Sequence, residues 1–235
     1  MDATLWIWGG TALLPDRPKG QLEDAAIGIA QGKIVYIGTR QEAKPTPGAR
    51  KIDGTGCLLL PGLVNGHTHV GMSMLRGFAD DYPLEIWLKE KIFPTERKWV
   101  SPEFTYWGSL LASAEMIRSG TTCFNDMYFF EDQAARAANE VGLRMCAGQT
   151  VVEESDVDKT SQDLLGVFDR FLEKVAEYPL VTPRLAPHSV YSVSIDSWKK
   201  IIGFAQKHRV GVHVHLSEVA SEVSACEKKH GKSPV

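Results

Sequence analysis

The first 56 residues carry their apolar positions in short alternating runs. In "ATLWIWGGTAL" the apolar stretch breaks at Gly9-Gly10, and "AAIGIAQGKIVYIG" alternates on both sides of Gln31-Gly32. A period of two marks half-buried strands, and a short break ending in glycine marks a hairpin. Residues 1–56 are therefore expected to form a small β domain. The pattern changes near "GCLLLPGLVNGHTH". From 57 to 235 short apolar runs, Leu63–His69, Thr121–Met127, Arg144–Thr150, Thr182–Ser189 and Gly211–Glu218, are separated by segments with a 3.6-residue apolar stripe. Ser101-Pro102 supplies an N-cap and a first-turn proline, and Gly120 closes the helix that follows. "EDQAARAANEVG", "SQDLLGVFDRFLEKVAEY" and "SIDSWKKIIGFAQKHR" read as further helices. Strand alternating with helix predicts an α/β fold with a parallel sheet. The connection from about 70 to 120 is long for such a unit and is expected to hold active-site structure.

Composition narrows the function. A net charge of −3 and a pI near 6.2 offer no basic footprint for nucleic acid or an acidic membrane. No apolar run reaches the ~20 residues that span a bilayer, and the N-terminus lacks the pattern of a signal peptide. Cys57, Cys123, Cys146 and Cys226 form no CxxC pair, so reduced thiols and a cytoplasmic location are expected.

The candidate chemistry lies at strand ends. His67 and His69 are two residues apart in one strand and so face the same space. His188 ends the fourth apolar run in "LAPHSVYS". His215 lies in the fifth, in "VHVHLSE", with Glu218 three residues on. In a β/α barrel the carboxyl ends of the strands carry the active site, and neutral imidazole is a favoured nitrogen ligand of zinc. His213 reads as packing or as support for a ligand, one layer deeper than His215. Asp126 reads as a structural hydrogen-bonding group. His208 and His230 read as solvated, Met72, Met74 and Leu75 as apolar lining, and Trp87, Trp99 and Trp107 as helix packing.

Taken in order, "PGLVNGHTH", "LRGFADDYPLEIWLKEKIFPTE", "APHSVYSVS" and "HVHLSE" resemble the amidohydrolase superfamily. Within it the chain looks like the 5-methylthioadenosine/S-adenosylhomocysteine deaminases, with the chlorotriazine hydrolases as near relatives. The resemblance implies a (β/α)8 TIM-type metal-dependent hydrolase barrel, with about five strands in 57–235, and a β-sandwich to which residues 1–56 contribute. It implies one zinc, or iron or another divalent ion in its place, held by His67, His69 and His215. Glu218 would be the catalytic proton shuttle, His188 would contact the substrate, and Glu96 would hold the ribose hydroxyls. The implied reaction is hydrolytic deamination of an adenine nucleoside by a zinc-bound hydroxide. An aminotriazine or guanine-type hydrolase, or a non-catalytic metal-binding fragment, is the alternative. The family's sixth-strand histidine and eighth-strand aspartate have no counterpart here, so the chain reads as an N-terminal portion. It is expected to be completed by a complementing C-terminal chain or as a homo-oligomer. Its partner is expected to be a small nucleoside, with neither nucleic acid nor membrane.

Overall fold

Short alternating runs give short strands in the first part of the chain: β1 (Leu5–Trp8), β2 (Thr11–Leu13), β3 (Gln21–Leu22), β4 (Ala25–Ala30), β5 (Lys33–Thr39), β6 (Arg50–Asp53) and β7 (Leu58–Leu59). They build one sheet in the order β5-β4-β1-β6 and another in the order β3-β2-β7. Gln31 and Gly32 both take positive φ, 50° and 70°, which turns β4 back onto β5 as the hairpin pattern requires. Gly10, with φ 87°, lies against the carbonyl oxygens of Gly54 and Cys57, leaving no room for a side chain. Trp6 packs edge-on to Trp8 and against Tyr36, and these rings cover Ala3 and Ala26. The computed structural model describes residues 3–16, 18–153, 155, 157 and 160–235, and the chain divides into units Met1–Gly62 and Leu63–Val235.

The second unit is built on five parallel strands: β8 (Leu63–Thr68), β9 (Thr121–Tyr128), β10 (Arg144–Val151), β11 (Val181–Pro187) and β12 (Gly211–Val212), in the spatial order β12-β11-β10-β9-β8. The three central strands are the most buried. Helices cover one face. α3 (Pro102–Arg118), α4 (Glu131–Val141) and α5 (Leu164–Val175) bury Ala112, Ala135, Ala138, Phe171 and Val175 against Phe124, Met145 and Ala147. α5 and α6 (Ile195–His208) bury Phe168, Ile201 and Phe204 against Val151 and Leu185. α7 (Ala220–His230) follows the last strand. Ser101 caps α3 by accepting from the Phe104 amide at 3.2 Å, with Pro102 in the first turn, as the sequence signals.

β8 and β12 each pair on one side only among the described residues. Leu63 and Val64 on β8 and Val212 on β12 remain exposed. β12 is shorter than the apolar run predicts. His213 and His215 still donate their amides to Leu185 and His188, at 2.9 and 3.0 Å, so the backbone follows β11 without a regular ladder.

The long connection after β8 is structured. A 3₁₀ turn, Val70–Leu75, is followed by α1 (Leu84–Ile86), a π-helical turn Trp87–Ile92, and α2 (Phe93–Trp99). Pro94 sits in the first turn of α2. Its missing N–H and its ring preclude a regular α-helical bond to the residue four earlier, which accounts for the π turn just upstream. Gly108 of α3 packs directly on the Gly71 backbone, so a Cβ there would collide with the Gly71 carbonyl. Further sequence expectations fail in this unit. Trp99 and Trp107 are 59% and 53% exposed instead of packed, and their rings meet side chains of their own helices, Lys98 and Tyr106. His208 is half-buried and stacks on Phe204 at 4.0 Å, because the turn of helix between them aligns the two rings.

Candidate metal centre and substrate cavity

The carboxyl end of the sheet gathers residues that are far apart in sequence. The Nε2 atom of His215 lies 3.1 Å from Nε2 of His67 and 3.2 Å from Nε2 of His69. Three imidazole nitrogens at corners of a tetrahedron around one ion, each about 2.05 Å from it, would be about 3.3 Å apart. The observed spacing fits that geometry.

Hydrogen-bond acceptors define which ring nitrogen of each histidine carries the proton. His69 Nδ1 is 2.6 Å from the Met127 carbonyl and must donate to it, leaving the Nε2 lone pair free. His213 Nδ1 faces the Asp126 carbonyl at 3.4 Å, so it too donates. The Nε2 of His213 is then an acceptor for His67 Nδ1, 2.9 Å away, which leaves His67 Nε2 unprotonated. Two carbonyls of β9 thus aim two lone pairs at the same point. His213 is the hydrogen-bond partner that orients the His67 ring, where the sequence left packing and support both open. His215 Nδ1 is buried without a partner among the described residues.

Burial favours neutral rings here. Loss of solvent lowers His69 to about 4, the Met127 carbonyl working in the opposite direction. Burial, then the neighbouring imidazoles, lowers His215 to about 3. His188 is lowered to about 4, again by burial first and then by His69. Neutral imidazoles with converging lone pairs suit a divalent cation.

One cavity lies beside this cluster. His69, His188, His215, Glu96, Glu218 and Tyr128 are all on its wall, with Trp87, Leu88, Phe93 and Met127 as apolar lining. Met72 also lines it, as expected, whereas Met74 is half-exposed. A wider groove of about 710 Å³ adjoins it and shares Leu84, Leu88, Phe93, Glu96 and Tyr191. Glu96 is delivered by α2 and is only 4% exposed. Burial raises it to about 7, while the Tyr128 hydroxyl, donating to Oε1 at 2.7 Å, pulls the other way. Glu218 follows Ser217, whose φ is 56°, at the turn into α7. Burial, then the nearby Glu222, raises its carboxyl above the usual range. Glu222 accepts the Ser217 and Glu218 amides at 3.1 and 2.8 Å, tying down that turn. His188 Nδ1 lies 3.0 Å from Ser192 Oγ and 3.2 Å from Ser189 Oγ, and these hydroxyls are 2.7 Å apart.

Five of the six residues singled out from sequence, His69, Glu96, His188, His215 and Glu218, line this cavity, and His67 joins them through His215. Sequence reasoning missed Tyr128, the serine pair and Glu222. Only the position of Tyr128 at a strand end offered a signal.

The sequence matches the amidohydrolase family over residues 58–234. It is 42% identical, over 96% of its length, to 5-methylthioadenosine/S-adenosylhomocysteine deaminase 1 of Syntrophus aciditrophicus, covering 52% of that protein. Its structure superimposes on a zinc-bound adenosine deaminase from Xanthomonas campestris with a TM-score of 0.93 and 32% identity, covering 99% of this chain and 54% of that one. It superimposes on a zinc complex of atrazine chlorohydrolase from Arthrobacter aurescens with a TM-score of 0.84 and 22% identity, covering 98% and 56%, a likeness of fold. The chain spans about half the length of the curated relatives it matches. With 177 matched residues, 58 to 234, out of 235, the chain belongs to the amidohydrolase family.

Proposed function

We propose that this chain forms the metal-binding part of a zinc-dependent hydrolase that deaminates an adenine nucleoside of the 5-methylthioadenosine or S-adenosylhomocysteine type. The observation that carries the reading is the convergence of three imidazole nitrogens, His215 Nε2 lying 3.1 and 3.2 Å from those of His67 and His69, beside a cavity that also holds Glu96 and Glu218. The names of the deaminase relatives favour the same substrate class.

His67, His69 and His215 would hold the cation. When bound, zinc supplies Lewis acidity and a hydroxide nucleophile at neutral pH. The chain's own residues do the rest. Glu218, whose carboxyl pKa is raised above the usual range, can give a proton to the adenine ring nitrogen; the resulting carboxylate then takes the proton of the newly added hydroxyl group and passes it to the amine, which leaves as ammonia. His188, fixed by Ser189 and Ser192, orients the substrate. Glu96 as a carboxylate accepts from two adjacent ribose hydroxyls. The groove beyond Glu96 gives a 5′-substituent room. Trp87, Leu88 and Phe93 exclude water from the reacting end.

The open edges of β8 and β12, with exposed Leu63, Val64 and Val212, favour completion of the barrel by further strands. We infer that activity requires them, whether from a complementing C-terminal chain or from another copy. The four cysteines are free, which suits a reducing cytoplasm, and no described helix is long and apolar enough to cross a membrane. The test is zinc content and ammonia release from 5-methylthioadenosine, for residues 1–235 alone and mixed with a family C-terminal half. Zinc in both samples with ammonia only in the mixture supports the reading. Zinc without ammonia in either sample leaves a metal-binding protein and refutes the deaminase.

A further inference from the structure

Beside the end of β8 two carboxyl groups lie fully buried. Asp126 on β9 and Glu131 at the start of α4 are each 0% exposed. One oxygen of each is accounted for. Asp126 Oδ1 accepts from Thr68 Oγ1 at 2.6 Å and from the Val70 amide at 2.8 Å. Glu131 Oε1 accepts from the Gly148 amide at 3.1 Å. The other two, Asp126 Oδ2 and Glu131 Oε2, find no donor among the described residues. The Gly148 backbone that Glu131 contacts also lies against the Asp126 carbonyl, so the two side chains are neighbours and each senses the other's charge.

Two carboxylates cannot bond each other, since neither has a donor. Among the described residues no cation is paired with either group; Lys174 is bound to Asp132, next in sequence to Glu131. A pair of unscreened negative charges at zero exposure is too costly to hold, so at least one group must take up a proton. One proton satisfies both orphaned oxygens at once.

We propose that Asp126 and Glu131 share a single proton as a carboxylic acid–carboxylate pair, and that this pair positions His67 and His69 by clamping the end of β8. The functional half of this statement rests on the reading of those histidines as metal ligands. Thr68 lies between them and Val70 follows His69, so the two donors to Asp126 bracket the second ligand. The same aspartate's carbonyl faces His213, which in turn orients His67. Glu131 ties the assembly to β10 through Gly148. β9 and α4 carry no ligand, yet they fix the side from which both ligands of β8 are presented. Asp126 and Glu131 are positioning residues, because neither touches the cation or the cavity.

The decisive variants are Glu131→Gln and Glu131→Ala. Glutamine keeps one donor toward Asp126 and one acceptor toward Gly148, with the pair's net charge unchanged. Alanine removes both. Chelator competition on the zinc-loaded protein should give Glu131→Gln a zinc affinity within threefold of the parent. Glu131→Ala should lose roughly 10–100-fold, the usual effect of removing a group that supports a ligand. Infrared difference spectra at pH 8.5, taken in a Glu96→Gln, Glu218→Gln background to remove those carboxyls' own signals, should show one un-ionised carboxylic acid that disappears in Glu131→Gln. No such band, or a band that persists in Glu131→Gln, overturns the shared proton. Equal zinc affinity in Glu131→Ala overturns the positioning role. If Glu131→Ala does not fold, the infrared result and the glutamine rescue still decide the shared proton, and Thr68→Val, which removes one donor to Asp126, takes over the affinity test. A parent protein that binds no zinc removes the ligand reading, while the infrared band still reports on the pair.

Discussion

Tyr128→Phe isolates the tuning of Glu96. The substitution removes one oxygen atom and leaves the ring, which packs near His69 and against Phe129. That oxygen donates to Glu96 at 2.7 Å in a place where the carboxyl is only 4% exposed, so the bond is largely shielded from water. A hydrogen bond to an ionised group contributes about 1.5–3 kcal/mol and one to a neutral group about 1 kcal/mol. The difference, about 1 kcal/mol or somewhat more, corresponds to about one pKa unit. The sign follows from the charge. Burial already holds Glu96 near 7, and Tyr128 favours its ionised form, so its loss raises the pKa further. Ribose hydroxyls donate best to the carboxylate, which exists above that pKa. kcat/KM for a nucleoside should therefore rise with pH through about 7 in the parent enzyme, and about one unit higher in Tyr128→Phe. kcat at saturating substrate should change little. The assay is ammonia release against pH, with a ribose-free base as control. An unmoved midpoint, or the same shift with the ribose-free base, would refute the link between Tyr128, Glu96 and the sugar.

Other substitutions address separate parts of the site. Glu218→Gln should keep zinc but lower kcat by roughly 10²–10⁴ if this group moves the proton; unchanged turnover, measured with the metal content, would reduce Glu218 to a residue of the turn into α7. His215→Ala should abolish stoichiometric zinc, seen by metal analysis after dialysis, and full retention would exclude it as a ligand. Gly108→Ala should cost about 1–3 kcal/mol of stability by overpacking against the Gly71 backbone, outweighing the ~1 kcal/mol gain in helix propensity. A chemical melt showing a gain would mean that the turn after His69 can retreat.

The strands and the histidines at their ends were legible because both depend on local pattern. Apolar runs bounded by helix caps located β8 to β11, and the two-residue spacing of His67 and His69 assigned them one face. β12 was overestimated because a run of apolar residues does not reveal that its outer side lacks a ladder partner. The support of the site was not legible. The link from Asp126 through His213 to His67 joins residues 87 and 146 positions apart, and only the sheet register brings them together. Glu96 could be singled out only by its resemblance to a motif; its burial and its bond to Tyr128 join residues 32 positions apart and exist only in the folded chain. His208 was misjudged because charged neighbours in sequence suggest solvent, whereas the helix turns its ring onto Phe204.

His67 and His215 meet at 3.1 Å although they extend from the two outermost strands of a five-stranded sheet. Four strand spacings of about 4.8 Å would put flat edges roughly 19 Å apart. The sheet must therefore curl until its opposite margins face each other, and a cation shared by those histidines acts as a staple across the curl. It closes a loop of 148 residues. In the chain-entropy view a permanent crosslink over such a span restricts the unfolded chain by about 5 kcal/mol. A reversible one does so only while the metal stays bound. Metal loading should consequently report on curvature as well as chemistry: stripping the ion releases the two sheet margins from each other before it loosens the helices behind them, and amide exchange should quicken first in β8 and in residues 211–217.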